Sequence, residues 1–374
     1  MKLQCQVSEF LQAIQLTSHA VATKPQTPIL SGIYMKAEED GLVFEATDYE
    51  IGIITKIAAN VEEKGEIAIE GHYLQEMAKK LYSDIVDISF TIGDKSAKIS
   101  SGAFHVQLNV MNVNDYPKII RMKEGNRIKI KDELLKSLIR KTSYACSNDQ
   151  DRPIFTGCMM ETEGESIRMV ATNTHRLALM ERTMDGIEDI DKVKKSQIII
   201  PKRVLDELSR DLTSEVPIDI DIMSTGKEIS FSFGSTYISS RLIDGQFPDY
   251  RKAIPSDFKT RVKLPVEEFK RAVDSVSFVA KSTDYNVIKM SFSLNEVHLS
   301  SNNIEVGTTE QSMPVEIDGP DIDIAFNVLY LIDVMKTMTK KEFYMSLNES
   351  LKPAIIREAD DDSFTYVLTP VRTH

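Results

Sequence analysis

Apolar residues recur at helical spacing in three well-separated segments, VSEFLQAIQLTSHAV (7–21), KDELLKSLIRKTSYA (131–145) and PVEEFKRAVDSVSFVA (265–280), and each predicts an amphipathic helix. A Ser-Glu or an acidic pair stands at the start of each, where the partial positive charge of a helix N-terminus favours it. At a similar distance beyond each helix comes an alternating stretch that runs into a turn: GLVFEATDYEIG (41–52), SIRMVATNTHRL (166–177) and EVHLSSNNIEVG (296–307). A second helical pattern follows in every case, EGHYLQEMAKKL (70–81), PKRVLDELSRDL (201–212) and FNVLYLIDVMKTM (326–338). Period-two strands come next, in VDISFTIG (86–93), IDIDIMS (218–224) and EFYMSLN (342–348). Two units close on related words, NDYPKI (114–119) and GQFPDYRKAIP (245–255). The pattern predicts three copies of one α+β domain, each with two helix-plus-strand halves, over residues 1–124, 125–257 and 258–374.

Composition supports this division. A chain of 374 residues exceeds one hydrophobic core and calls for two or three domains. With 27% charged and 42% hydrophobic residues it has the make-up of a soluble globular protein. The opening MKLQCQVSEF lacks a basic start followed by an apolar core, and no run of about 18 apolar residues occurs, so a cytoplasmic protein without a membrane partner is expected. Cys5, Cys146 and Cys158 are widely spaced among apolar neighbours and predict small core residues, with neither a disulfide framework nor a metal site.

Catalytic motifs are missing: no GxxxxGK[ST], GxSxG or HExxH occurs, and no cofactor or metal is expected. The Asp-Ile-Asp triplets in IDIDIM and PDIDIAF alternate in strand register, which puts their carboxylates on a solvent face. His175 and Arg176 are the one pair that suggests a reagent, yet no Ser or Cys stands ready beside them. The matching positions are Glu50 with Ile51 and, by the closest alignment, Ile304 with Glu305.

The net charge of −12 argues against nucleic acid until the charges are placed. Basic residues gather on the predicted helices: Lys131, Lys136, Arg140 and Lys141; Lys270 and Arg271; Lys79 and Lys80; Lys202, Arg203 and Arg210; Lys336, Lys340 and Lys341. Lys24 follows the first helix. Acidic residues concentrate in AEED (37–40), VEEKGE (61–66), DGIEDID (185–191) and EADDD (358–362). A solvated helix surface accounts for any one of these lysines. The same bias in five of the six helices, with Lys24 just past the remaining one, suggests faces that follow phosphates without reading bases.

Several words together carry a family resemblance: TPIL (27–30), ATDYEIG (46–52), ATNTHRLAL (171–179), LIDGQFPDY (242–250), FNVLYLIDVM (326–335) and YVLTPVR (366–372). In this order and spacing, across essentially the whole chain, the sequence resembles the bacterial DNA polymerase III β subunits, the sliding clamps. The resemblance implies three clamp domains per chain, each with two helices on antiparallel sheets, and a head-to-tail homodimer closing a six-domain ring. Helix spacing agrees with two copies: six helices about 9 Å apart enclose a free bore of roughly 6 Å, whereas twelve enclose roughly 23 Å. A duplex needs roughly 20 Å. The implied partners are double-stranded DNA without sequence preference, a second copy of the chain, the polymerase III α subunit, the clamp loader, and other polymerases and repair proteins that carry clamp-binding peptides.

By the same resemblance, strand FHVQLNV (104–110) pairs with an edge of the third domain, with Val106 and Leu108 near Phe278 and Val279. DNA contacts are implied for Lys24, Lys79, Lys80, Gln150, Lys202 and Arg203, the choice of Gln150 over Asp149 depending on alignment. A peptide pocket between the second and third domains is implied at Arg152, Phe155, Thr172, Thr174, His175, Arg176 and Leu177. Its other wall would comprise Pro248, Lys252, Ala253, Asn327, Tyr330, Leu351, Pro353, Val367, Thr369, Pro370 and Val371. Thr174 departs from a frequent glycine, Phe155 from a frequent leucine, and Lys252-Ala253 from a larger Arg-Val pair. Two other classes stay open: a hydrolase or nuclease built on His175, and a peptide-binding scaffold that never encircles DNA.

Overall fold

The computed structural model describes residues 1–184, 195–212, 216–283 and 285–372, so the acidic DGIEDID stretch lies outside the described residues. All six helical patterns form helices: α1 Val7–Ser18, α2 Gly71–Ala78, α3 Asp132–Thr142, α4 Lys202–Asp211, α5 Val266–Ala280 and α6 Val328–Met335. The patterns of α1, α2 and α6 overrun the helices because their last amides bond three residues back. After α1 these are His19, Ala20 and Val21, bonded to Leu16, Thr17 and Ser18, and after α2 Lys80 and Leu81 do the same. Such tightening satisfies terminal carbonyls and ends the α-helical run.

Packing divides the chain into two compact units, Met1–Glu133 with Glu207–Leu242, and Leu134–Asp206 with Ile243–His374. In the first, an antiparallel sheet runs in the order Asn126–Lys131, Asp219–Ser224, Glu228–Phe233, Thr236–Arg241, Ile51–Ile57, Gly41–Thr47, Gly32–Glu38, Gly65–Glu70. A second sheet runs Ala59–Glu63, Lys2–Gln6, Ile85–Ser89, Ser96–Ser101, Phe104–Asn109. Helix α1 turns Val7, Phe10, Ala13 and Ile14 inward, and Phe10 meets Phe44 edge-on at 5.7 Å. Full burial of such a ring contributes roughly 2–3 kcal/mol.

The second unit repeats the scheme. Its larger sheet has the order Ser196–Pro201, Gly157–Glu163, Ser166–Thr172, Arg176–Thr183, Phe364–Leu368, Ala354–Glu358, Glu342–Leu347, Thr260–Pro265, Glu316–Asp318. Its smaller sheet runs Gly307–Pro314, Glu296–Asn303, Val287–Ser293, Ile322–Asn327. Phe269 of α5 meets Phe343 at 5.3 Å, a contact of the same edge-on kind as in the first unit.

Packing therefore cuts across the threefold sequence repeat, because backbone ladders join one repeat to the next. Tyr237–Ser240 pair with Ile51–Ile54, and Arg176–Met180 pair with Phe364–Leu368. Each large sheet continues from one repeat into its neighbour without an edge, so the central repeat supplies strands to both units.

Several charge placements differ from the sequence pattern. Lys141 is buried and bonds Glu358, which is itself buried and accepts from the amides of Thr339 and Lys340. It is a core ion pair, since a helical period cannot reveal a buried acid far along the chain. Lys131 ends a strand and pairs with Asp219 at 2.6 Å. Asp219 and Asp221 do face the outer side of their strand, against Lys129, Lys131 and Arg127. All three cysteines are buried and free.

Asp211, at the end of α4, is pushed up to about 6 from 3.8 by burial and by the charge of Glu207, whose Oε2 lies 2.5 Å from His19 Nδ1. A carboxyl that holds its proton more tightly when folded than when unfolded loses stability as pH rises between those two values. Asp211→Asn is therefore expected to raise stability by about 1–2 kcal/mol at pH 8 after allowance for partial exposure, and to change it little below pH 4. Urea unfolding at both pH values checks this.

Candidate functional site

The strand-turn of ATNTHRL is held by side chains of its own residues. Thr172 Oγ1 donates to the Arg176 carbonyl at 2.7 Å and accepts from the Thr174 amide, while Asn173 Oδ1 accepts from the amides of His175 and Arg176. The ATDYEIG turn repeats this with Thr47, Tyr49, Asp48, Glu50 and Ile51. In the third repeat Asn303 Oδ1 accepts from Glu305 and Val306, so the residues matching His175 and Arg176 are Glu305 and Val306, one place beyond the sequence alignment. Thr174 sits at φ 75° and Tyr49 at φ 73°, the left-handed region that glycine adopts without strain.

Arg176 carries the strongest interactions of the turn. Its guanidinium is buried, 2.8 Å from Asp333 Oδ2 of α6, and donates to the Tyr144 carbonyl. It lies 4.5 Å from the centre of the Tyr330 ring and 5.5 Å from that of Tyr144. Burial works against its charge, yet Tyr366 and Asp333 outweigh it and hold the pKa above the ordinary value. Tyr330 is fixed in turn, its hydroxyl accepting from Asn173 and its carbonyl from Tyr366. Arg176 thus ties the turn to α6 through Nη1 and Nη2, while its buried Nε has no hydrogen-bond partner among the described residues and the residue still lines the neighbouring cavity.

Leu177, the next residue, pairs across the ladder with Val367, and both join an apolar cluster with Met159, Val170, Ile199, Tyr250 and Ile355. The segment around 243–258 covers part of this cluster through Ile243, Phe247, Ile254 and Phe258. Between them lies a cavity of about 440 Å³. Of the expected pocket residues, Phe155, Thr172, Thr174, Arg176, Leu177, Pro248, Lys252, Ala253, Pro353, Val367 and Thr369 line it. Phe247, Asp249, Tyr250 and Pro255 line it too, outside the set the sequence implies, although they flank Pro248 and Ala253 in the same sequence word.

Arg152, His175, Asn327, Tyr330, Leu351, Pro370 and Val371 stand outside the cavity lining. Arg152 pairs with Asp149 at 2.8 Å and lies over Phe155 at 5.8 Å, at the rim. His175 is exposed, and its carbonyl accepts from the Thr369 amide. Asn327 caps α6 by accepting from Leu329 and donates to Tyr285, whereas Val371 donates its amide to Ala325. Leu351 is exposed.

The Tyr250–Ala253 turn that forms one wall is anchored from below. Glu161, almost fully buried, accepts from Tyr250 Oη at 3.1 Å and Arg251 Nη2 at 2.9 Å. Burial and the Glu161 charge push the Tyr250 phenol up to about 12, so it donates at any neutral pH. The finished site has an aliphatic and aromatic floor, a lysine at its mouth, and walls held by buried charge-assisted hydrogen bonds. The shape and chemistry of this floor suit an apolar side chain, with Lys252 and Asp249 paired at 3.6 Å at its edge.

The other expected residues fall as follows. Lys24, Lys79, Lys80, Gln150 and Arg203 are exposed, and Lys202 is half-buried against Asp206. Phe104–Asn109 is an edge strand, with Val106 and Leu108 half-buried on one face. Phe278 is exposed, but Val279 is buried within its own unit and belongs to the core, as the inward face of α5 requires.

Residues 1–120, 129–249 and 251–372 match, in order, the N-terminal, central and C-terminal domain families of the DNA polymerase III β subunit. The β sliding clamp of Bacillus subtilis is 31% identical over 384 residues, covering 100% of both chains. The chain belongs to the β sliding clamp family. A clamp from Staphylococcus aureus is 29% identical over 374 residues, covering 98% of this chain and 97% of its own. The crystal structure of the Bacillus subtilis clamp superposes with a TM-score of 0.92 at 30% identity, and that of a Bartonella birtlesii clamp bound to griselimycin with 0.92 at 28%, each covering 100% of both chains. This family member therefore has three clamp domains of mixed α and antiparallel β structure.

Two measurements test the turn. Thr174→Gly is expected to stabilise the chain by about 0.5–1 kcal/mol in denaturant unfolding, because it relieves a β-branched residue at positive φ. Arg176→Ala is expected to cost roughly 2–3 kcal/mol through the loss of a buried guanidinium and its ion pair with half-buried Asp333.

Proposed function

We propose that this chain is a DNA polymerase processivity clamp. Two copies join head to tail, the ring encloses duplex DNA, and the cavity beside Leu177 and Val367 receives short peptides from polymerase, clamp loader and repair proteins. The observation that carries this is the threefold clamp repeat over almost the whole chain, in family order. The ring makes no bond and breaks none; it raises the local concentration of polymerase at a primer end by tethering. The domains on this view span 1–124, 125–257 and 258–374.

The edges suit closure. Phe104–Asn109 and Gly307–Pro314 each end a sheet, and an unpaired strand edge is a template for another. Val106, Leu108 and Phe278 supply apolar contact there. The cations on the helices suit DNA: Lys202 and Arg203 open α4, the end at which a helix prefers anions, although Lys202 is paired with Asp206 one turn on. Lys24, Lys79, Lys80 and Gln150 complete the contacts proposed with phosphates. The peptide contacts comprise the cavity lining, with Arg152 and His175 at its rim.

Replacing Lys24, Lys79 and Lys202 together by Glu is expected to lower retention of the loaded protein on nicked circular DNA at least tenfold. Affinity for a polymerase-derived peptide should change less than twofold, measured by fluorescence anisotropy. Wild-type protein that binds the peptide but is never retained on circular DNA with its loader would identify a scaffold instead.

A further inference from the structure

We propose that Cys146 and Cys158 form a redox-sensitive pair that closes into a disulfide under oxidising conditions. Their Sγ atoms are 3.6 Å apart. A disulfide requires about 2.05 Å, so the sulfurs must approach by roughly 1.5 Å, within reach of side-chain rotation and a small backbone shift. Cys146 follows the 3₁₀ turn Ser143–Ala145, and Cys158 is the second residue of strand Gly157–Glu163, where it pairs with Ile200. The segment between them is already drawn closed, because the Ser147 amide donates to the Phe155 carbonyl at 2.8 Å. A covalent link would thus staple ends that the fold has brought together.

The two sulfurs differ in access. Cys158 is fully buried, with Thr142 Oγ1 at 3.9 Å, whereas Cys146 keeps a small exposed fraction beside the exposed residues Asn148 and Gln150. Burial also raises the Cys158 thiol well above its ordinary pKa, which makes the pair slow to react without deciding where its equilibrium lies. With hydrogen peroxide as oxidant, the Cys146 thiolate attacks one oxygen, the O–O bond breaks, and protonation of the departing oxygen yields water and a sulfenic acid. The Cys158 thiolate then attacks the Cys146 sulfur, the S–S bond forms, the S–O bond breaks, and the oxygen leaves as a second water. Two thiols give two electrons and peroxide takes both.

The bridged segment 147–157 carries Phe155 of the cavity wall and Arg152 at its rim, so oxidation would brace that wall. The chain as it stands serves for the test: it is equilibrated with dilute peroxide or with dithiothreitol, unfolded in guanidinium with an alkylating agent, and its thiols counted. The reduced chain should alkylate at all three cysteines. The oxidised chain should alkylate at Cys5 alone, lose two mass units, yield a linked Cys146–Cys158 peptide, and recover fully with dithiothreitol. Cys158→Ser should yield no such peptide. Three alkylatable thiols after prolonged oxidation, or thiol loss only through intermolecular links or irreversible sulfinic acid, would overturn the proposal.

Discussion

The pairing of Arg176–Met180 with Phe364–Leu368 sets the conditions for everything around the cavity. Side chains alternate across a strand, so this register turns Leu177 and Val367 to the cavity face while Arg176 reaches Asp333 of α6. A slip by one residue would exchange the two faces. It would place a guanidinium in the apolar floor and a leucine against a carboxylate. The Arg176–Asp333 ion pair and the apolar floor are therefore two consequences of one hydrogen-bond ladder, and each guards the register that the other needs.

Around that ladder, acids do the fastening, two of them buried and Asp333 half-buried. Glu161 holds the Tyr250–Ala253 turn, Glu358 holds Lys141 and the amides after α6, and Asp333 holds Arg176. Each acid answers a donor far away in the sequence, so the arrangement specifies which segments meet as well as how firmly. A chain with many more acids than bases can use carboxylates inside in this way and still keep cations for its helix surfaces.

The repeat, all six helices and the strand-turns could be read from the sequence because they rest on local periods and on the hydrogen-bonding habits of Thr, Asp and Asn. What escaped it were distant partners. Lys141 looks like any exposed helix lysine until Glu358 is known, and Val279 like a contact residue until the inward face of α5 is known. Tyr250 and Phe247 lie in a segment with no regular period, and only its packing on the sheet makes them part of the cavity. Ladders between repeats escaped for the same reason: strand order is a property of pairing, and no single strand announces its neighbour.

The turns at 47–51 and 172–176 keep one backbone with two unrelated contents. A threonine and an Asp or Asn make the hydrogen bonds, while the two residues between them and the next strand contribute backbone amides to the frame. Frame and cargo are thus separate. The Thr-Asx frame works as a socket: it holds Tyr-Glu in one place and Thr-His in another on the same backbone. Protein engineers could use the exposed Tyr49–Glu50 pair in the same way, as a mounting point for foreign side chains.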